Sequence, residues 1–94
     1  MELTIEFAGL SRVLTHLSRT SLQVKPGTTF RELLGILSEK HPELVGEVIH
    51  ANQSTLQSSN MLNINGKHMV QPTEMDQSPS DGDRLILMSI LAGG

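Results

Sequence analysis

The sequence predicts an α+β domain in which one main helix lies across one face of a mixed sheet of four to five strands. Three observations predict it: a strictly alternating segment near residue 1, one amphipathic helix after residue 29, and a strongly apolar strand near residue 94. A helix on one face of a sheet lets both elements bury their apolar sides in one core. Ninety-four residues support one such core, so residues 1–94 are predicted to form a single domain.

Three segments before the last strand have the pattern of half-buried strands. Residues 2–7 (ELTIEF) alternate strictly, residues 20–24 (TSLQV) alternate again before a Lys-Pro-Gly stop, and residues 61–65 (MLNIN) place Leu62 and Ile64 inward. The first and last strands are the most apolar. We therefore expect them side by side at the centre of the sheet, with the helix across them.

The main helix is predicted to begin after Thr29 and to end near His41. Thr29 and Glu32 have the spacing of a capping box, in which side chains satisfy two free amides at the helix start. Four apolar residues then share one helical face: Phe30, Leu33, Leu34 and Leu37. Pro42 stops the helix. A second short helix is predicted over residues 43–49, although Gly46 weakens it.

The remaining segments lack a clear period. Residues 9–18 are predicted to form a loop or a short helical turn, and residues 50–60, rich in Ser, Asn and Gln, a mobile surface loop. Residues 68–80 are predicted to be irregular because Pro72 and Pro79 oppose regular structure.

The last strand, residues 84–90 (RLILMSI), is apolar on both faces. Leu85 and Leu87 fall on one face, and Ile86, Met88 and Ile90 fall on the other. In a two-layer fold with one helix, the second set would face water, and such a patch usually marks a partner site. The alternative is that residues 9–18 or 43–60 fold over it.

The composition excludes several classes of function. The chain has no cysteine, which removes disulfides, thiolate metal sites and thiol nucleophiles, and its four histidines lack metal-ligand spacing. A net charge of -3 and only two aromatic residues argue against nucleic-acid binding. The sequence has no membrane-length apolar stretch and no basic leader, so a cytoplasmic protein that binds neither metal nor membrane is expected.

The segment after the last strand ends in Ala92, Gly93 and Gly94. Glycine has no Cβ, so a pair of glycines can enter a channel too narrow for other residues. A terminal carboxylate delivered in this way can be adenylated with ATP and then attacked by sulfide, a thiol or an amine. We expect residues 91–94 to form an exposed, flexible tail. The alternatives are a chance ending or an interaction module whose tail is inert.

The sequence resembles the β-grasp, ubiquitin-like sulfur-carrier proteins. The stretches that carry the resemblance are MLNINGK, DGDRLILM and the terminal LAGG, with PGTTFRELLGIL where the family helix stands. The family includes the molybdopterin synthase small subunit (MoaD type), the thiamine-pathway carrier (ThiS type) and ubiquitin-related modifiers. The resemblance covers most of the chain and leaves residues 9–18 and 43–60 as variable regions.

The resemblance implies a carrier rather than an enzyme, with no bound cofactor. A partner of the ubiquitin-activating type would adenylate Gly94 with ATP, a sulfur donor would convert it to a thiocarboxylate, and Gly93 would be the required spacer. Ile86 and Met88 lie where relatives present an apolar docking surface, which the prediction extends over Ile90, Leu91 and Ala92.

Details of the chain bear on which branch of the family it follows. Met88-Ser89-Ile90 stands where molybdopterin-type members have a Phe-Pro-Pro-like segment, and the ending is closer to the thiamine type. Length and residues 43–60 favour the molybdopterin or modifier branches. The predicted function is therefore sulfur donation as the molybdopterin synthase small subunit, with that enzyme's large subunit as a partner. The alternatives are a modifier joined to lysines through Gly94 and a thiamine-pathway carrier.

Overall fold

A computed structural model describes residues 1–89 of the chain. These residues form five strands, two α-helices and two short 3-10 helices. The strands are β1 (Glu2–Phe7), β2 (Arg19–Gln23), β3 (Asn60–Ile64), β4 (His68–Met69) and β5 (Arg84–Ser89). The α-helices are α1 (Leu10–Thr15) and α2 (Phe30–Lys40), and the 3-10 helices are Pro42–Leu44 and Pro72–Glu74.

All five strands form one mixed sheet with the order β2-β1-β5-β3-β4. β1 and β5 are parallel neighbours, with Ile5 opposite Leu85 and Phe7 opposite Leu87. The other neighbouring strands are antiparallel. The predicted placement of the first and last strands at the centre of the sheet is confirmed.

The main helix begins and ends as its sequence predicts. The Thr29 hydroxyl accepts the Glu32 amide at 3.1 Å, and the Glu32 carboxylate accepts the Thr29 amide at 3.0 Å. The amide and, second, the hydroxyl of Thr29 both donate to the Glu32 carboxylate and so lower the pKa of Glu32. The helix ends at Lys40, where the His41 amide donates to the Leu37 carbonyl at 2.7 Å.

The core lies between the sheet and α2. The inward face of the sheet supplies Leu3, Ile5, Phe7, Leu22, Leu62, Leu85 and Leu87, and α2 supplies Phe30, Leu33, Leu34 and Leu37. Residues after α2 complete it, since Leu44, Val48 and Ile49 are fully buried in the same cluster. Met75, from the segment before β5, is buried there as well.

The predicted helix over residues 43–49 is wrong. The chain forms only the 3-10 helix Pro42–Leu44 and then a turn in which Gly46 has φ +92, a left-handed conformation that a helix cannot contain. The Val48 and Ile49 amides both donate to the Leu44 carbonyl at 2.9 Å. The apolar residues of the segment are therefore buried by a compact turn.

Residues 50–60 form a surface loop without helix or strand before Asn60. Backbone hydrogen bonds within the loop and to the preceding turn hold it. The His50 amide donates to the Thr55 carbonyl at 2.9 Å, and the Gln57 amide donates to the Val48 carbonyl at 2.8 Å. Residues 68–80, predicted to be irregular, contain the two-residue strand β4 and the 3-10 helix Pro72–Glu74.

Candidate functional site

The end of β5 defines where the candidate site begins. Because β1 and β5 are parallel, both strands end at the same edge of the sheet. Ser89 is the last residue of β5 and the last that the structure describes. The predictions for Ile90, Leu91, Ala92, Gly93 and Gly94, including the 91–94 tail, fall outside the described residues and stay predictions.

A network of close contacts joins the end of β5 to the start of α1. Gly9 has φ +70 and ψ -131, a backbone conformation that residues other than glycine rarely adopt. A Cβ at Gly9 would lie 2.2 Å from the Ser89 hydroxyl oxygen. That oxygen accepts the Leu10 amide at 3.0 Å. The close approach of the two segments therefore requires glycine at position 9.

The two faces of β5 differ as predicted. Leu85 and Leu87 are almost completely buried in the core, whereas Ile86 and Met88 are half-buried and lie on the opposite, outer face of the sheet. Ile86 and Met88 do not belong to the hydrophobic cluster around α2. The outer face of β5 therefore presents apolar side chains beside the end of the strand.

Neighbouring strands extend this surface. In the sheet register Met61 is opposite Met88, Asn63 is opposite Ile86, and Met69 is opposite Asn63. All three neighbours are half-buried. We call these five residues of β3, β4 and β5 the outer sheet surface: Met61, Asn63, Met69, Ile86 and Met88.

Asn63 is the polar member of the outer sheet surface. Its side-chain oxygen Oδ1 is buried and has no hydrogen-bond partner among the described residues. An unpaired buried acceptor costs free energy, on the order of 1–3 kcal/mol.

Charged residues border the outer sheet surface. Arg84 is the outward residue of β5 that precedes Ile86, and its Nε lies 3.3 Å from Glu6 Oε2. At the β4 edge, on the core side of the sheet because His68 is opposite Ile64, His68 Nε2 lies 2.9 Å from Glu74 Oε1, which also accepts the Gln71 amide at 2.7 Å. The Gln71 amide and, second, His68 lower the pKa of the Glu74 carboxyl. These contacts hold β4, and with it Met69, in place.

The segments that could have covered this surface pack elsewhere. Leu10 and Leu14 of α1 contact the buried core, as does Leu56 of the 43–60 region, and Leu44 belongs to it. Both segments therefore lie on the α2 side of the sheet. Coverage of Ile86 and Met88 by residues 9–18 or 43–60, the alternative left open by the sequence, is not what the structure shows.

Some site residues were not singled out from the sequence. Placing Leu62 and Ile64 inward already sends Met61 and Asn63 outward, because side chains alternate along a strand. Met69 carries no such signal, since β4 has only two residues. The sequence pattern could not link Ser89 to Gly9, because the two residues are far apart in sequence.

Other candidate groups have structural roles. Asp81 Oδ1 accepts the Glu2 amide at 2.6 Å, and Asp83 Oδ2 accepts the Ser80 amide at 2.8 Å, so both carboxylates brace the turn before β5. Within residues 1–89, no three His, Asp or Glu side chains are placed to share a metal ion. In the same range, no helix is long and apolar enough to cross a membrane.

The order and direction of the strands define the class of fold. A mixed five-stranded sheet with parallel central β1 and β5, crossed by α2, is the ubiquitin-like β-grasp. The sequence matches the ThiS family over residues 5–94, and the chain belongs to that family. Its members are ubiquitin-fold proteins of the sulfur-carrier and modifier class.

Solved structures support the fold. SAMP1 from Haloferax volcanii superposes with a TM-score of 0.82 at 18% identity, covering 100% of both chains. Urm1 from Trypanosoma brucei gives a TM-score of 0.72 at 23% identity, covering 99% of this chain and 95% of that chain. A chain in the complex of subunits 1 and 2 of the Helicobacter pylori molybdopterin-converting factor gives a TM-score of 0.64 at 19% identity, covering 100% of this chain and 100% of that chain. Comparison with curated protein sequences gives no match.

Proposed function

We propose that this protein is a sulfur carrier whose Gly94 carboxylate is adenylated and then converted to a thiocarboxylate, and that it serves as the small subunit of a molybdopterin synthase. The observation that carries the proposal is the family match, which runs through β5 to Gly94 on a β-grasp fold. The proposal includes a cytoplasmic location for this chemistry, where ATP is available to the activating partner.

The chemistry needs two steps. In the first, a Gly94 carboxylate oxygen attacks the α-phosphorus of ATP, forming an acyl-adenylate and releasing pyrophosphate. In the second, hydrosulfide attacks the acyl carbon, AMP leaves with the oxygen, and one proton is released, which leaves a thiocarboxylate. A partner enzyme of the ubiquitin-activating type performs the first step, and the carrier supplies only the reacting carboxylate.

The folded body presents the reacting end. β5 is the middle strand of the sheet and pairs with β1 and β3 on its two sides, so the chain at Ser89 is held on a rigid support. Preorganisation of this kind lowers the entropic cost of placing a reactive group in another protein's active site. Gly93 serves as the spacer, because an added Cβ would widen the segment that must enter that site.

The outer sheet surface is proposed to dock the partners. Ile86, Met88 and Met61 supply its apolar area. Methionine side chains adapt to more than one partner surface, which suits a carrier that must visit an activating enzyme and then a sulfur acceptor. The Helicobacter pylori relative, solved as a complex of two subunits, supports a large synthase subunit as one of these partners.

The test is incubation of the full chain with its activating enzyme, ATP and sulfide, followed by intact-mass spectrometry. The expected product carries one sulfur in place of one oxygen, located at Gly94 by fragmentation. Gly93→Ala should lose the product, whereas Gly35→Ala, in α2, where the added Cβ meets only the Gln53 carbonyl oxygen at 3.8 Å, should keep it. A wild-type mass that never changes would overturn the sulfur-carrier proposal.

The same sample distinguishes the pathway and the modifier alternative. Adding the large synthase subunit should consume the thiocarboxylate and restore the carboxylate. If Gly94 is instead joined to lysines, tryptic peptides of the conjugates will carry the remnant LILMSILAGG, because Arg84 is the last basic residue. Such remnants without any thiocarboxylate turnover would replace the synthase role by protein modification.

A further inference from the structure

We propose that a second copy of this chain pairs with β2, so that two sheets join through their β2 edges in a two-fold symmetric dimer. β2 is the terminal strand of the sheet and has β1 on one side only. This pairing is independent of the proposed function, because it uses neither the end of β5 nor the outer sheet surface, both of which lie on the far side of β1.

The outward side of β2 carries backbone groups that are available for pairing. The Ser18 carbonyl accepts the Phe7 amide at 3.0 Å, and the Val24 amide donates to the Met1 carbonyl at 3.0 Å. Because backbone groups alternate in direction along a strand, the amides and carbonyls of Arg19, Ser21 and Gln23 point away from β1. None of them has a hydrogen-bond partner among residues 1–89, and all three residues are exposed.

β2 lacks the features that usually prevent pairing at a sheet edge. It contains no proline, and its five residues pair with β1 in an uninterrupted register, so no bulge twists the strand away. Arg19 is its one charged residue. The opposite edge is different, because β4 has only two residues and Pro72 follows it closely. β2 is therefore the edge to which another strand can add.

Ser21 is the middle residue of β2 and gives the dimer its two-fold centre. Antiparallel pairing about this residue places Ser21 opposite Ser21 of the second copy, and Arg19 opposite Gln23 of the second copy. Each outward amide of one strand then meets an outward carbonyl of the other, because both strands have the same alternation. Such an interface uses the same patch on both copies, as two-fold symmetry requires.

Neighbouring registers are less favourable. Pairing centred on Thr20 leaves Gln23 without a partner residue in β2 of the second copy. Pairing centred on Leu22 places Arg19 opposite Lys25, and like charges directly opposite each other are destabilising. The register centred on Ser21 pairs the whole strand and avoids this repulsion.

The side chains beside the edge are complementary to those of a second copy. Arg19 forms no ion pair within residues 1–89, since Glu6, which is opposite it, lies 3.3 Å from Arg84 Nε. Gln23 Nε2 donates to Glu2 Oε2 at 3.0 Å, and Gln23 Oε1 accepts no hydrogen bond from the described residues. In the proposed register the Arg19 guanidinium faces this amide oxygen, with the Glu2 carboxylate behind it. The match occurs twice in the dimer, which favours a second copy as the occupant of the edge.

The dimer keeps both reacting ends accessible. β1 is antiparallel to β2 and parallel to β5. The two β5 strands of the dimer therefore run in opposite directions, and the two Ser89 residues lie at opposite edges of the joined sheet. Each copy can then meet its own partner.

The first experiment is sedimentation equilibrium of the full chain. Edge-to-edge pairing buries less area than a standard interface, so the dimer should be weak and the series should run from about 10 μM to about 1 mM. The average mass should rise from that of one chain towards that of two. Ser21→Pro removes an outward amide without affecting the pairing with β1, and it should raise the dissociation constant at least about tenfold. Ser21→Ala keeps the amide and is the matched control, which should still dimerise.

The second experiment tests the register by disulfide formation, since the chain has no cysteine of its own. Ser21→Cys should give a disulfide-linked dimer with copper–phenanthroline as oxidant, because residues of a hydrogen-bonded pair have Cα atoms about 5.5 Å apart, within disulfide range. Gln23→Cys, exposed on the same face, is the matched control. In the proposed register its two copies lie about 14 Å apart, so it should stay monomeric under denaturing, non-reducing conditions.

Three results would overturn the inference. A wild type that stays monomeric at about 1 mM excludes the dimer. Equal cross-linking of Ser21→Cys and Gln23→Cys would indicate random collision or parallel strands. A monomeric wild type whose binding to the activating enzyme is lost in Ser21→Pro, with the variant folded by circular dichroism, would assign the β2 edge to a strand of that enzyme. The thiocarboxylate assay on the wild type decides the proposed function separately.

Discussion

Gly9→Ala should be among the most destabilising changes of a single methyl group in this chain. Gly9 has φ +70 and ψ -131, and the added Cβ would lie 2.2 Å from the Ser89 hydroxyl oxygen. Holding alanine in this backbone conformation costs about 2–3 kcal/mol. Moving the Ser89 hydroxyl away loses its bond with the Leu10 amide, about 1 kcal/mol more.

A smaller effect opposes these costs. Alanine lowers the entropy of the unfolded chain, which stabilises the folded state by about 0.5 kcal/mol. The net loss in the free energy of unfolding is therefore about 3 kcal/mol. That is a large part of the roughly 5–10 kcal/mol expected for a domain of this size.

Urea denaturation followed by far-ultraviolet circular dichroism is the suitable assay, because the chain has no Trp or Tyr for fluorescence. The unfolding midpoint of Gly9→Ala should fall by about 2–3 M. Gly27→Ala is the matched control, since Gly27 also has positive φ, +87, but has nothing within 4 Å of the added Cβ. It should lose only the backbone part of the cost.

A double-mutant cycle with Ser89→Ala isolates the clash. Ser89→Ala alone should cost about 1 kcal/mol, and the double variant should cost about 3 kcal/mol, so the two changes are less than additive by about 1 kcal/mol. Full additivity, or a Gly9→Ala protein as stable as the wild type, would show that Gly9 and Ser89 are not in contact as the structure places them.

Three further predictions concern the core, the helix cap and acid stability. Leu87→Asp should prevent folding because Leu87 is fully buried, whereas Met88→Asp, one residue along β5, should lower the melting temperature much less and should weaken partner binding more than stability; unfolding of Met88→Asp would place Met88 in the core. Thr29→Ala should lower the free energy of unfolding by about 1 kcal/mol in urea titration, since it removes the capping box of α2; an unchanged midpoint would contradict it. The pKa of Glu74 is lowered by the Gln71 amide and by His68, so its stabilising effect is present above its ordinary value of 4.5 and is lost as the pH falls through the lowered pKa. Melting temperatures of Glu74→Gln should therefore depend less on pH below about 4.5 than those of the wild type, and equal slopes would refute this role of Glu74.

The elements that the sequence predicted are those whose determinants are local. β1 alternates over six residues, and α2 combines a capping box with an apolar stripe, so each carries its own signal. The central pairing of β1 with β5 followed from the apolar character of both strands. The two faces of β5 could be assigned for the same reason, because alternation alone separates Leu87 from Met88.

Other features depend on side-chain contacts or on a backbone conformation that the residue pattern does not show. The structure has the six-residue helix α1 where a loop or a short helical turn is predicted; what the pattern does not show is that Ser11 and Thr15, which look like surface residues, are buried and donate to the Leu87 and Ser11 carbonyls. The apolar run at 43–49 suggested a helix, yet Gly46 at φ +92 turns the chain instead. β4 has only two residues and exists through its pairing with Asn63 and Ile64 of β3.

The arrangement of β5 suits the two roles proposed for it, in folding and in partner binding. The inward residues of β5 pack in the core against β1, β3 and α2. Hydrogen bonds of the Ser11 and Ser89 hydroxyls join α1 to the end of β5. The strand is therefore held in place without contacts on its outer face. Ile86 and Met88 lie outside the core cluster and are therefore available for the docking role proposed for them. Selection on the outer face can then change the partners while the inner face keeps the fold. In such a protein, activity and stability should respond to substitutions at alternate positions of one strand.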